Sequence, residues 1–191
     1  MLKRIFLTGP LVLALALVVP AHADTITYTA ILLGSNEVPP TGSAGTGFAT
    51  ITLTGNLLSV VESFTGLTTA ASAAHIHCCG PVGVNEPVAV PFTGFPNGTS
   101  GNYTNTFDLS LASSYTAAFI TLEGGTVALA EAGLIAGLNS GNAYANIHNT
   151  TFPGGEIRGQ IAQVTPEPAS LLLLGTGMIG FVQLVRRKVR S

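Results

Sequence analysis

Two histidines, His75 and His77, stand directly before two adjacent cysteines, Cys78 and Cys79. On a strand, side chains two residues apart point to one face, about 6.5–7 Å from each other. Neutral imidazole is the commonest metal ligand, and a third histidine from another strand would complete a site for copper or zinc. His148 is the one further histidine in residues 24–164. The cysteines widen the choice, because thiolate beside imidazole suits the same two metals. Four states of Cys78 and Cys79 stand open: a vicinal disulfide, an intermolecular bridge, metal ligands or free thiols. The histidines equally suit a structural or surface role. Glu156 and Arg158 are also two apart, which predicts a structural pair on one strand face, an ion pair or two hydrogen-bonding struts, rather than a catalytic carboxylate.

No other constellation competes with these. There is no phosphate-binding loop, no G-x-S-x-G, no H-E-x-x-H and no dinucleotide fingerprint. The chain offers no complete catalytic set, so a non-enzymatic role is expected. Charged residues are 8% of 191, against about 25% in an average soluble domain. Six of the seven basic residues sit at the two ends, and Arg158 is the only one between Ile5 and Val185. Without a basic stripe, nucleic acid is excluded as a partner. Residues 24–164 carry eight acids and one base, a net −7 with neutral histidines. Cations and basic surfaces are the favoured partners of such a domain, and anionic polymers are repelled.

Strands must position these side chains. Period-2 alternation runs through Thr25 to Leu32, Phe48 to Leu53, Leu57 to Phe64, Val88 to Phe92, Tyr103 to Leu109, Tyr144 to His148 and Glu156 to Val164. Gly, Asn and Pro punctuate them, as at Gly55-Asn56 and Pro153-Gly154-Gly155. Many short strands at this spacing predict a sandwich or barrel. Alanine-rich Thr126 to Leu138 predicts a helix with Leu129, Ala132 and Ala136 at helical spacing, Leu134 and Leu138 also four apart, and Gly141 beyond its end. A second short helix is expected over Ser113 to Leu122, with Ser113 or Ser114 as N-cap.

The two ends read as addresses. Lys3-Arg4, an apolar run from Ile5 to Val19 and Ala21-His22-Ala23 make a secretory signal peptide, cleaved by signal peptidase after Ala23. At the other end, Pro166-Glu167-Pro168 precedes an apolar stretch over 169–185 and the cluster Arg186-Arg187-Lys188. That stretch is expected to span a membrane, with the basic cluster held in the cytoplasm. The expected organisation is a signal peptide over 1–23, one domain over 24–164 and a sorting and membrane segment over 165–191.

The tail resembles the PEP-CTERM sorting signal of Gram-negative bacteria. The resemblance implies recognition by an exosortase-type enzyme and a transient or permanent inner-membrane anchor. It also implies a place in the envelope, at the surface or in the extracellular biofilm matrix. Leu33-Gly34-Ser35-Asn36-Glu37-Val38-Pro39-Pro40, His75-Ile76-His77, Asn146-Ile147-His148 and Gly154-Gly155-Glu156-Ile157-Arg158-Gly159 resemble the CHRD domain, in the family's order. Cys78-Cys79 depart from it, since many members carry Gly-Pro directly after the second histidine. The resemblance implies a mainly β, Greek-key-like sandwich of immunoglobulin or superoxide-dismutase type, and no catalytic residues. The expected function is structural or binding, with an extracellular polysaccharide or protein as partner. The alternative is a metal-binding, redox-active protein using copper or zinc.

Overall fold

The computed structural model describes residues 24–165. The expected signal peptide, the expected membrane stretch 169–185 and the sorting residues Pro166, Glu167, Pro168, Arg186, Arg187 and Lys188 lie outside them. Among the described residues, no helix is long and apolar enough to cross a membrane.

Nine antiparallel strands form one curled sheet. They are β1 (Thr25–Leu33), β2 (Thr46–Thr54), β3 (Leu57–Thr65), β4 (Ala71–Cys78), β5 (Val88–Pro91), β6 (Gly101–Asp108), β7 (Ala143–Asn149), β8 (Ile157–Gln160) and β9 (Ala162–Gln163). Two helices, α1 (Ala117–Leu122) and α2 (Val127–Ser140), lie between β6 and β7. The strand order is β5-β4-β7-β8-β1-β2-β3-β6, with β9 also on β1. The path is weakest between β8 and β1, where only Leu33 and Arg158 pair.

Alternation decides what each strand buries. In β1, Tyr28, Ala30 and Leu32 face the core, while Thr29 and Ile31 face out. β2 and β3 repeat the pattern over nine consecutive pairs, joined by a tight turn at Gly55, whose φ of 59° suits a hairpin of right-handed twist. The sheet curls until its two edge strands meet through aromatic rings. Phe92, just after β5, stacks 5.1 Å from Tyr103 and 6.0 Å from Phe107 of β6.

The helices differ from the sequence reading in detail. α2 has the expected C-cap, Gly141 at φ 71°, and Thr126 caps its start by accepting from Leu129 N–H. Its buried face is Ala130, Leu134, Gly137 and Leu138, whereas Leu129, Ala132 and Ala136 are exposed. The larger side chains of Leu134 and Leu138 decide the face, and Gly137 lets the backbone approach the Cys78–Cys79 pair closely. α1 starts later than expected. Thr116 is its cap, because the Ser114 hydroxyl is already donated to the Asp108 carbonyl at 2.6 Å. The expected final strand is two, β8 and β9. At Ile161 the N–H goes to Ala143 of β7 (2.9 Å), while Ala162 and Gln163 pair with β1.

Candidate metal centre

Three adjacent strands build the site. In β4-β7-β8 the register sets His75, Asn146 and Arg158 in one row, and His77, Tyr144 and Gln160 in the next. His148 is opposite Ala73, one row further. Alternation puts all these side chains on one face, and sends Ala74, Ile76, Cys78, Ala145 and Ile147 to the apolar core on the other. The loop 79–87 folds over the polar face, so His77, Asn146 and Arg158 are all buried.

One ligand nitrogen from each of His75, His77 and His148 can be chosen so that all three lie within 4.8 Å of one another. Nδ1 of His75 stands 3.2 Å from Nε2 of His148. Two nitrogens on a tetrahedral zinc, each at about 2.0–2.1 Å, are separated by about 3.4 Å. The remaining nitrogens therefore need only small side-chain rotations to meet one ion.

The outer nitrogens are fixed by carbonyls. His77 Nδ1 lies 2.6 Å from the Glu86 carbonyl, and His148 Nδ1 lies 3.0 Å from that of Pro153. A carbonyl only accepts, so each neutral ring carries its proton on Nδ1 and turns an Nε2 lone pair inward. Burial, joined by the neighbouring His148 and His77, pushes His75 down to about 4. Burial likewise lowers His77 and His148, against the pull of the Glu86 and Pro153 carbonyls. All three rings are therefore neutral near pH 7.

Asn146 sharpens the picture. Its Oδ1 lies 3.1 Å from His77 Nε2 and 2.9 Å from His148 Nε2. Glu37 lies beside it, its carboxyl raised by burial to about 6 against the pull of Arg158. An amide oxygen thus meets two inward lone pairs with no proton between them. Two arrangements relieve this: the amide turned over, or a cation at the centre.

Other expected site residues fall elsewhere. Cys78 and Cys79 form a disulfide with each other, so neither is a thiolate ligand or a free thiol. They also lie against α2 rather than the histidines, with Cys79 Sγ 3.3 Å from the Gly133 carbonyl, a contact without hydrogen. Glu156 and Arg158 are both buried but do not act as an ion pair among the described residues. Glu156 Oε1 accepts from Ser43 Oγ (2.5 Å) and from the Thr68 amide and hydroxyl (both 2.7 Å), and Oε2 accepts from Asn149. Arg158 donates to Asn85 Oδ1 (3.0 Å) and the Val84 carbonyl (2.8 Å). Sequence reasoning placed Asn146 and Glu37 in the family blocks but gave them, and Tyr144, no role at the site. The signal for Asn146 and Tyr144 was their period-2 spacing with His148, but Glu37 comes from a remote turn with no such mark.

Residues 28–161 match the CHRD domain, and residues 164–188 match the PEP-CTERM protein-sorting motif. No curated protein and no solved structure matches the chain. The sorting motif indicates an exported protein of the cell envelope or surface in Gram-negative bacteria, processed by an exosortase-type sorting enzyme. With most of its length matched by the first family, the chain belongs to the CHRD domain proteins and carries a PEP-CTERM sorting motif.

Proposed function

We propose that this protein is an exported envelope or surface protein that holds a zinc or copper ion on His75, His77 and His148. The observation that carries the reading is the convergence of three neutral imidazoles from two strands, two of them with Nδ1 tied to carbonyls. Such outer hydrogen bonds select the tautomer that ligates through Nε2. Three nitrogens leave a coordination position for water or another ligand, the pattern of reactive rather than purely structural sites. A redox role would follow with copper and not with zinc.

The surrounding organisation completes the reading. Residues 1–23 direct export, 24–164 form the mature domain, and 165–191 sort it and anchor it in the inner membrane. The division of the strand order at β8 and β1 supports a sandwich of two four-stranded halves, as in immunoglobulin or superoxide-dismutase folds. A structural or binding role in the matrix, towards polysaccharide or protein, is the second reading. The hydroxyl-rich outer face of the sheet favours it.

Metal analysis of the purified full chain, equilibrated with zinc and with copper and then passed through a weak chelator, tests the first reading. One ion per chain is expected, lost in His75→Ala and His148→Ala. A wild-type chain that retains neither metal overturns it.

A further inference from the structure

The other half of the sheet has a face that the histidine site does not use. Strands β1, β2, β3 and β6 pair in continuous register, so their outward side chains fall into rows. Thr27, Thr52, Ser59 and Thr106 make one row. Thr29, Thr50, Val61 and Thr104 make the next. Positions repeat at about 7 Å along the strands and about 4.8 Å across them. The one ionisable outward group is Asp108, at a corner, where Asn56 and Ser110 already engage it.

One end of this face opens into a groove of about 360 Å³. Phe48, 46% exposed, lies in it beside the hydroxyls of Thr46, Ser63, Thr65 and Ser100 and the amide of Asn102. Its volume falls at the low end for small-ligand sites, about 300–1,000 Å³.

We propose that this face docks a neutral polysaccharide, with one sugar ring seated against Phe48. The chemistry is complementary on each count. Hydroxyls both donate and accept, and so match a polymer of hydroxyls. An exposed aromatic ring offers an apolar surface to the C–H face of a sugar. The absence of cations, on a domain of net −7, works against anionic chains and leaves neutral ones. The apolar side chains of this face are few: Ile31 pairs with Phe48, Val61 lies diagonal to Phe48, and Leu57 stands apart beyond the Ser59 row. Hydroxyl and amide side chains surround this cluster, and three apolar side chains fall short of the core a protein interface buries. The inference rests on the second reading above, and it stands or falls independently of the histidines.

Affinity electrophoresis of the full chain tests it, with hydroxyethylcellulose and dextran as neutral probes and alginate as the anionic control. Retardation by at least one neutral probe is expected, unchanged by added salt, with none by alginate. Phe48→Ala should weaken it at least tenfold. Ser63→Lys should do the same from an exposed position that leaves the core intact. Metal content should be unchanged in both. No retardation by either neutral probe, equal retardation of both variants, or retardation by alginate alone would overturn the proposal. So would self-association that Phe48→Ala abolishes without any response to glucan, since the face would then belong to a second copy.

Discussion

Arg158 sets its guanidinium carbon 3.3 Å from the centre of the Tyr144 ring. His77 stacks on Tyr144 as well, with centroids 4.6 Å apart and planes 3° from parallel. β7 lies between β4 and β8, so the cation and the imidazole come to the tyrosine from opposite sides. The Tyr144 hydroxyl accepts from Glu86 N–H (3.1 Å), and the Glu86 carbonyl holds His77. One base thus braces both the loop 79–87 and a histidine of the candidate centre.

Arg158→Lys should therefore destabilise although it keeps the charge. Lysine lacks the flat fork that reaches Asn85 and Val84 while lying over a ring. A loss of about 1–3 kcal/mol is expected, read from chemical denaturation. A lysine variant as stable as the parent would show that the stack contributes little.

Asn146→Ala should leave the fold largely in place and weaken metal binding by about 10–100-fold, the usual effect of removing a group beside the ligands. Competition with a chromophoric chelator gives the number. Unchanged affinity would detach Asn146 from the centre, and with it the argument from facing lone pairs.

Glu156→Gln should cost about 2–4 kcal/mol, because an amide donor must then face a donor that the carboxylate accepts. Ser43, Thr68 and Asn149 all depend on that carboxylate, so three loops should loosen together. Hydrogen exchange across residues 41–45, 66–69 and 149–156 reads this directly. Loosening confined to one of them would refute a shared anchor.

Glu62 faces the core from β3, opposite Tyr103, with neither carboxyl oxygen hydrogen-bonded among the described residues. Burial raises it to about 8. The unfolded chain gives up this proton near the ordinary carboxyl value, while the native chain keeps it until about pH 8. The native state then binds more protons, so stability is full at low pH and falls as pH rises towards 8. Between about pH 7.5 and 8 the histidines add little slope, because even the unfolded chain, titrating near 6.5, has lost most of those protons. The melting temperature should fall over that window in the parent and much less in Glu62→Gln. Equal slopes would rule out Glu62 as the source.

Gly137→Ala should also destabilise, by about 1–3 kcal/mol, although alanine is the better helix former. An added methyl would occupy the space of Cys78 Sγ. A more stable variant would show that α2 can shift away from the disulfide.

Much of this was legible in the sequence. The period of two located the strands and placed His75 with His77, because alternation is a local property of the chain. What brought His148 beside them is the pairing of β4 with β7, across 64 residues of intervening chain that no local pattern specifies. Glu156 and Arg158 take the second form that their spacing allowed, two hydrogen-bonding struts rather than an ion pair. Sharing a face sets direction only, and Ser43, Thr68, Asn85 and Val84, all remote in sequence, competed for their polar atoms and won. The spacing in α2 left two sets of positions open, Leu129 with Ala132 and Ala136 or Leu134 with Leu138, because small residues ring the helix almost evenly, and only contact with the sheet broke the tie.

The ends of the curled sheet have one more consequence. A short strand such as β5 at an open edge is a template on which another chain can add. Here Thr116 takes the Val88 carbonyl with its hydroxyl (2.5 Å) and the Ala89 carbonyl with its N–H (3.1 Å), and Pro91 has no N–H to offer. The residue that starts α1 is thus also a stopper against runaway strand addition. For a charge-poor chain that must pass through a crowded envelope, that makes a helix cap a guard against aggregation.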